Sequence, residues 1–162
     1  NCTRFRSKNK KETISDFEKT FNIEVKNYFF FLEELLKKNN TKKISILNIS
    51  STNATLVSHQ FFSYHISKNL IETLTKYFSI KYLKFNTKIN TLRLGLISTK
   101  NINKIVKSSL VKKFNLKKTV PNYSEISQFI KINYIDNALM NGTTISLDGS
   151  LTNIDQVYFN IN

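Results

Sequence analysis

The feature that most restricts the fold is a row of large apolar residues, Phe62, Ile66, Leu70, Leu74 and Tyr77, spaced three and four apart. Residues so spaced share one face of an α-helix. They predict a helix over residues 56–77 that must bury this face against something else, because a lone amphipathic helix is marginal in water. A sheet is the expected partner. Residues 44–49 form a short apolar run of strand length, followed by the polar connection 50–55. Residues 80–85 read as a second strand and 86–90 as a turn. Leu92, Leu94 and Leu96 then alternate with Thr91, Arg93 and Gly95, the period of a half-buried strand.

Beyond a basic loop or short helix at 101–109, Phe114 and Leu116 lie between lysine pairs in a strand-like stretch, 111–120, that Pro121 stops. Ser124 is placed to cap a helix carrying Ile126, Phe129 and Ile130. Asn141-Gly142 marks a turn, residues 143–147 alternate as a last strand, and Asp148-Gly149 marks another turn. The order is β-α-β-β-β-α-β. It predicts an α+β, ferredoxin-like sheet with two helices on one face. Residues 1–12 read as a basic arm, and Ser15 with Glu18 has the spacing of a capping box ahead of a helix near 25–38. The expected organisation is an N-terminal extension over 1–42, a domain over 43–147 and a tail over 148–162.

Charge sets the expected partner. The net charge is +14, and residues 73–124 hold twelve of the 25 bases and none of the eleven acids. Self-repulsion on that scale is relieved by a polyanion. The aromatic residues interleaved there, Tyr77, Phe78, Tyr82, Phe85 and Phe114, read as core rather than as stacking platforms. Lys (22) far exceeds Arg (3), and Asn numbers 21, a bias that resembles AT-rich coding.

Catalysis finds little footing by this reading. His59 and His65 fall six apart on the predicted helix and point to different faces, as polar surface residues. Glu33 and Glu34 are helix neighbours that do not face each other. The only glycines are Gly95, Gly142 and Gly149, too few for a glycine-rich nucleotide cradle, and Cys2 is alone, so no cysteine-rich metal site forms. The longest apolar run, residues 28–32, is far short of a membrane span. No signal peptide is visible, and Asn1 is not an initiator residue, so the true start is expected upstream.

Over residues 43–147 the chain resembles the ribosomal protein S-ten family of the small subunit. Thr87-Lys88, residues 94–98 and Asn103-Lys104 match its motifs, Val120-Pro121 falls where the family has a proline, and residues 142–147 resemble its last strand. Residues 80–86 lack the family's Gly and Pro, and Thr99-Lys100 and Lys112-Lys113-Phe114 replace its Pro-His and Arg-Thr-His. The resemblance implies a non-enzymatic constituent of the ribosome, bound to ribosomal RNA and to neighbouring head proteins through an extended basic hairpin over 85–114. The expected phosphate contacts are Lys81, Lys84, Lys88, Arg93, Lys100, Lys104, Lys107, Lys112, Lys113, Lys117 and Lys118. No cofactor, metal, small-molecule substrate or membrane span is expected. The coding bias points to a mitochondrial ribosome, with a plastid or a bacterial cytoplasm as alternatives. The rival functions are another organellar nucleic-acid-binding protein and a basic accessory subunit of an organellar membrane complex.

Overall fold

The structure is a computed structural model and describes residues 11–39, 41–57, 59, 61–98, 120–135, 137 and 139–153. A helical run opens it: α1 (Ile14–Phe21), a π-helical turn (Asn22–Lys26) and α2 (Asn27–Lys38). The cap is Thr13 with Asp16, two residues before the expected pair. Asp16 N donates to Thr13 Oγ1 at 3.1 Å, and Thr13 N donates back to Asp16 Oδ2 at 3.1 Å. Then follow β1 (Ile44–Ser51), α3 (Phe62–Lys81), β2 (Thr87–Leu94), α4 (Tyr123–Ile130) continued by a π turn to Ile135, and β3 (Thr144–Leu147). Asn122 caps α4 in a capping box with Glu125, so the start of this helix falls close to the expected Ser124.

The three strands lie in the order β1-β2-β3 and both pairings are parallel, with Ile46 opposite Ile89 and Leu92 opposite Ile145. Parallel neighbours need crossover connections, which α3 and the segment carrying α4 provide. Both faces of the sheet are covered. On one, Leu32 and Leu36 of α2 and Phe78 of α3 pack with Tyr82 and Ile89, flanked by Ile44 and Ile46. On the other, Leu92 and Leu94 pack with Ile126 and Tyr134, flanked by Leu47, Ile49, Ile145 and Leu147. A sheet buried on both sides is the signature of a parallel α/β protein.

The ferredoxin-like expectation therefore fails, and its failure has a local cause. The apolar run at 80–85 is the end of α3 and the turn after it, with Phe78 and Tyr82 stacked one helical turn apart. A short apolar run does not tell helix from strand. Without a strand there, no hairpin joins it to residues 92–96, and β2 instead starts at Thr87. The face of α3 was also misplaced. Phe62 and Tyr77 are exposed, while Ser63, Ser67, Lys68, Ile71, Thr75, Phe78 and Ser79 are buried. Hydroxyl residues bring the helix close to the sheet: Thr75 Oγ1 lies 2.6 Å from Thr91 Oγ1 and accepts from Asn48 Nδ2 at 2.9 Å. Residues 99–114 of the expected hairpin lie outside the described residues, and 87–94 form the central strand.

Candidate active site

At the carboxyl edge of the sheet, β1 ends in Ser50-Ser51 and passes into a 3-10 turn (Thr52–Ala54). Three contacts fasten the end of β1 and this turn to the first turns of α3. His65 Nδ1 lies 2.8 Å from the Asn53 carbonyl, Asn69 Nδ2 donates to the Ala54 carbonyl at 3.2 Å, and the Ser50 hydroxyl reaches the Lys68 carbonyl at 3.3 Å. His65 is thus a buried structural residue rather than a surface one, and His59 lies exposed ahead of the helix. Phe61, just before α3, holds a left-handed backbone (φ 58), a costly conformation for an aromatic residue that the packing around it must enforce. Glu12 accepts from Ser63 N at 3.2 Å, placing a carboxylate at the positive end of α3.

Tyr64 and Lys68 stand one turn apart on this part of α3 and so share a face. The Lys68 ammonium sits 5.4 Å from the centre of the Tyr64 ring. It is also 2.8 Å from Glu24 Oε2, and both charged side chains are only 1% exposed. Glu24 comes from the π turn. One turn further along α3, Glu72 accepts from Ser50 Oγ at 2.8 Å and from Arg93 Nε at 2.9 Å. The Glu72 carboxylate beside it holds the Arg93 guanidinium above its ordinary range.

The edge is closed by the ends of β2 and β3. A Cβ on Gly95 would lie 2.8 Å from the Asp148 Cα, so only glycine lets the two strand ends approach this closely. The arrangement sets the Tyr64 ring beside the buried Lys68 ammonium and ties the Lys68 carbonyl to Ser50 at the carboxyl end of β1, the side on which open α/β sheets bind ligands. A cleft of about 470 Å³ lies at the opposite, amino-terminal edge, between Lys43, Lys88, Ile130 and Tyr134. Among the described residues no group of three or more His, Cys, Asp or Glu could hold a metal, and no helix is long and apolar enough to cross a membrane.

Of the expected phosphate contacts, Lys81, Lys84, Lys88 and Arg93 are among the described residues. Lys81 at the end of α3 pairs with Glu33 at 2.7 Å, and this bond holds the Glu33 carboxyl below its ordinary range. Lys84 is exposed in the next turn. Lys88 donates to the Asn137 carbonyl at 2.8 Å, and Arg93 is committed to Glu72. Lys100, Lys104, Lys107, Lys112, Lys113, Lys117 and Lys118 lie outside the described residues.

Residues 4–151 match the sequence model of a family described as enoyl-(acyl carrier protein) reductase, a short-chain dehydrogenase family. The chain belongs to this family. Solved short-chain dehydrogenases share its fold. ElxO with NADP bound superposes with a TM-score of 0.77 at 19% identity, over 94% of this chain and 64% of that one. A gluconate 5-dehydrogenase from Burkholderia cenocepacia, in complex with NADP and tartrate, gives 0.74 at 17% identity, over 93% and 62%. A short-chain dehydrogenase family protein from Francisella tularensis gives 0.74 at 21% identity, over 93% and 67%. A comparison with curated proteins found no match. This short-chain dehydrogenase chain spans 64% of the length of ElxO.

Family membership overturns the ribosomal resemblance and what followed from it: a non-enzymatic role in translation, ribosomal RNA and head proteins as partners, and the exclusion of a small-molecule substrate. The motifs behind that resemblance, among them Thr87-Lys88 and residues 94–98, belong to the central parallel strand and the edge after it. The sequence signal for this site is Tyr64-His-Ile-Ser-Lys68, a phenol and an amine at helical spacing behind a strand ending in Ser50-Ser51.

Proposed function

We propose that this chain carries the acid–base part of a nicotinamide-dependent oxidoreductase, with Tyr64 as proton donor. The placement of Tyr64 and Lys68 on one face of α3, beside the Ser50-Ser51 end of β1, carries the reading. The relatives support the choice of cofactor: ElxO has been solved with NADP, and as a tyrosine-to-phenylalanine variant with NADPH.

The residues present fit the reacting end of such a cofactor. The carboxyl edge of the sheet carries the Ser50 and Ser51 hydroxyls at the end of β1 and the Tyr64 phenol on α3. No stretch of the 162 residues supplies a glycine-rich phosphate cradle, because two of the three glycines serve tight packing, Gly95 against Asp148 and Gly142 against Ser79. When bound, the cofactor supplies a hydride to an electrophilic carbon, in a carbonyl or a conjugated enoyl thioester. The rest of the chemistry falls to the protein. The Ser51 hydroxyl, which accepts from Asn53 N at 3.3 Å at the head of the turn after β1, donates a hydrogen bond to the substrate oxygen as negative charge develops there. The Tyr64 hydroxyl gives its proton to that oxygen, or to the enolate formed from it, and becomes a phenolate. The Lys68 ammonium opposes the phenolate charge, and the proton is restored from solvent. In the oxidative direction Tyr64 accepts the proton.

The test is consumption of NADPH by the full-length protein with a but-2-enoyl thioester, or of NADP⁺ with gluconate. General acid catalysis contributes roughly 10²–10⁴-fold, so Tyr64→Phe should lower kcat within that range. Undiminished turnover by Tyr64→Phe would refute the assignment.

A further inference from the structure

Glu24 takes no part in the chemistry above, yet its carboxylate is buried and bonded to the lysine on which that chemistry leans. We infer that Glu24 is a positioning residue: it fixes the Lys68 ammonium against Tyr64 and acts on the reaction through that lysine. This rests on the acid–base roles proposed above for Tyr64 and Lys68.

Three observations carry it. The first is burial. A carboxylate and an ammonium, each 1% exposed, meet at 2.8 Å in the interior, where taking charges out of water is costly. Such pairs add little stability over well-packed apolar residues, so stability alone is a weak reason to have one here.

The second is the backbone. Glu24 sits in the single π-helical turn that interrupts the run from Ile14 to Lys38. Such turns shift the side chains of a helix relative to their regular positions and concentrate at functional sites. Glu24 and Val25 are buried within it, while Asn22, Ile23 and Lys26 are exposed.

The third is the geometry on the far side. The ammonium is bracketed by the Glu24 carboxylate and, 5.4 Å away, by the Tyr64 ring, while the Lys68 carbonyl is held by Ser50. A lysine stem is rich in rotamers. A fixed counter-ion removes that freedom before substrate arrives, which is preorganisation of the charge that must meet the phenolate.

The test is a double-mutant cycle on the full-length protein, using the NADPH assay with the but-2-enoyl thioester and the NADP⁺ assay with gluconate. Glu24→Gln should lower kcat by about tenfold or more and leave the substrate KM within about twofold, since the lost interaction acts in the transition state. Added to Lys68→Met, Glu24→Gln should cost less than about twofold more, because its route is already gone. Thermal melting supplies a readout independent of turnover: Lys68→Met takes the ammonium from a buried carboxylate, and adding Glu24→Gln should raise its Tm. Should Glu24→Gln not fold, Glu24→Asp, one methylene shorter, should show the same loss of kcat at unchanged KM.

Wild-type kcat in Glu24→Gln, or losses that multiply in the Lys68→Met background, would overturn the positioning role. If Tyr64→Phe loses turnover in either case, the acid–base reading survives that result. Full turnover in Tyr64→Phe, or none in the wild type, would remove the acid–base reading and the role of Glu24 together.

Discussion

Arg93 on β2 grips Glu72 on α3 with two bonds, Nε to Oε1 at 2.9 Å and Nη2 to Oε2 at 2.5 Å, and the pair is largely buried. Ser50 donates to the same carboxylate, so β1, β2 and α3 are joined at one point just below the site. Breaking a buried pair from one side costs about 3–5 kcal/mol, somewhat less here because Arg93 retains some exposure. Glu72→Ala should therefore be strongly destabilising in urea unfolding, and Glu72→Leu with Arg93→Leu less so than either change alone.

Two glycines make sharp predictions. A Cβ on Gly95 would lie 2.8 Å from backbone at Asp148, and one on Gly142 (φ +70) would lie 2.5 Å from the Ser79 hydroxyl. Overpacking of this kind costs about 1–3 kcal/mol. Gly95→Ala should also disturb the carboxyl edge, so its loss of activity should exceed that of an equally destabilised Gly142→Ala, measured by kcat at a temperature where both are folded.

The buried phenols predict an alkaline limit. Burial pushes Tyr28 and Tyr134 up to about 12 from an ordinary value near 10, in Tyr28 against the opposing hydrogen bond to Asn48. The folded state holds these protons more tightly than the unfolded chain does. Their contribution to stability is complete below pH 10 and is lost as pH rises from there through about 12. Urea midpoints across that window should fall less steeply in Tyr28→Phe than in the wild type.

Asn122 caps α4 by accepting from Ser124 N at 2.8 Å and Glu125 N at 3.1 Å. Asn122→Ala should cost about 1 kcal/mol, and Asn122→Ser should recover most of it. Denaturant titration of the two variants checks this.

Local elements were legible where one signal dominated. The strand at 44–49, the turn at Asn141-Gly142 and the strand at 143–147 all appear close to where pattern and turn chemistry put them. The direction of the strands was not legible, because it is decided by what covers the sheet. Reading residues 80–85 as a strand created a hairpin, and the hairpin forced an antiparallel sheet on one side of a helix layer. The site was hidden for a related reason. Lys68 lies on the buried face of α3 beside Ser67 and Thr75, so a hydrophobic pattern assigns that face to solvent. The large lysine excess suggests a polyanion partner, yet Lys81, Lys88 and Arg93 are engaged within the protein.

The central claim is tested most directly by following a labelled hydride. Full-length protein would be given NADPH deuterated at the transferable position of the nicotinamide, together with the but-2-enoyl thioester, and in parallel deuterated gluconate with NADP⁺. Mass spectrometry would follow the label. The account predicts transfer of one deuterium in at least one of these reactions, with the rate cut roughly 10²-fold or more by Tyr64→Phe. No transfer by the wild type, or transfer by Tyr64→Phe at the wild-type rate, would contradict it.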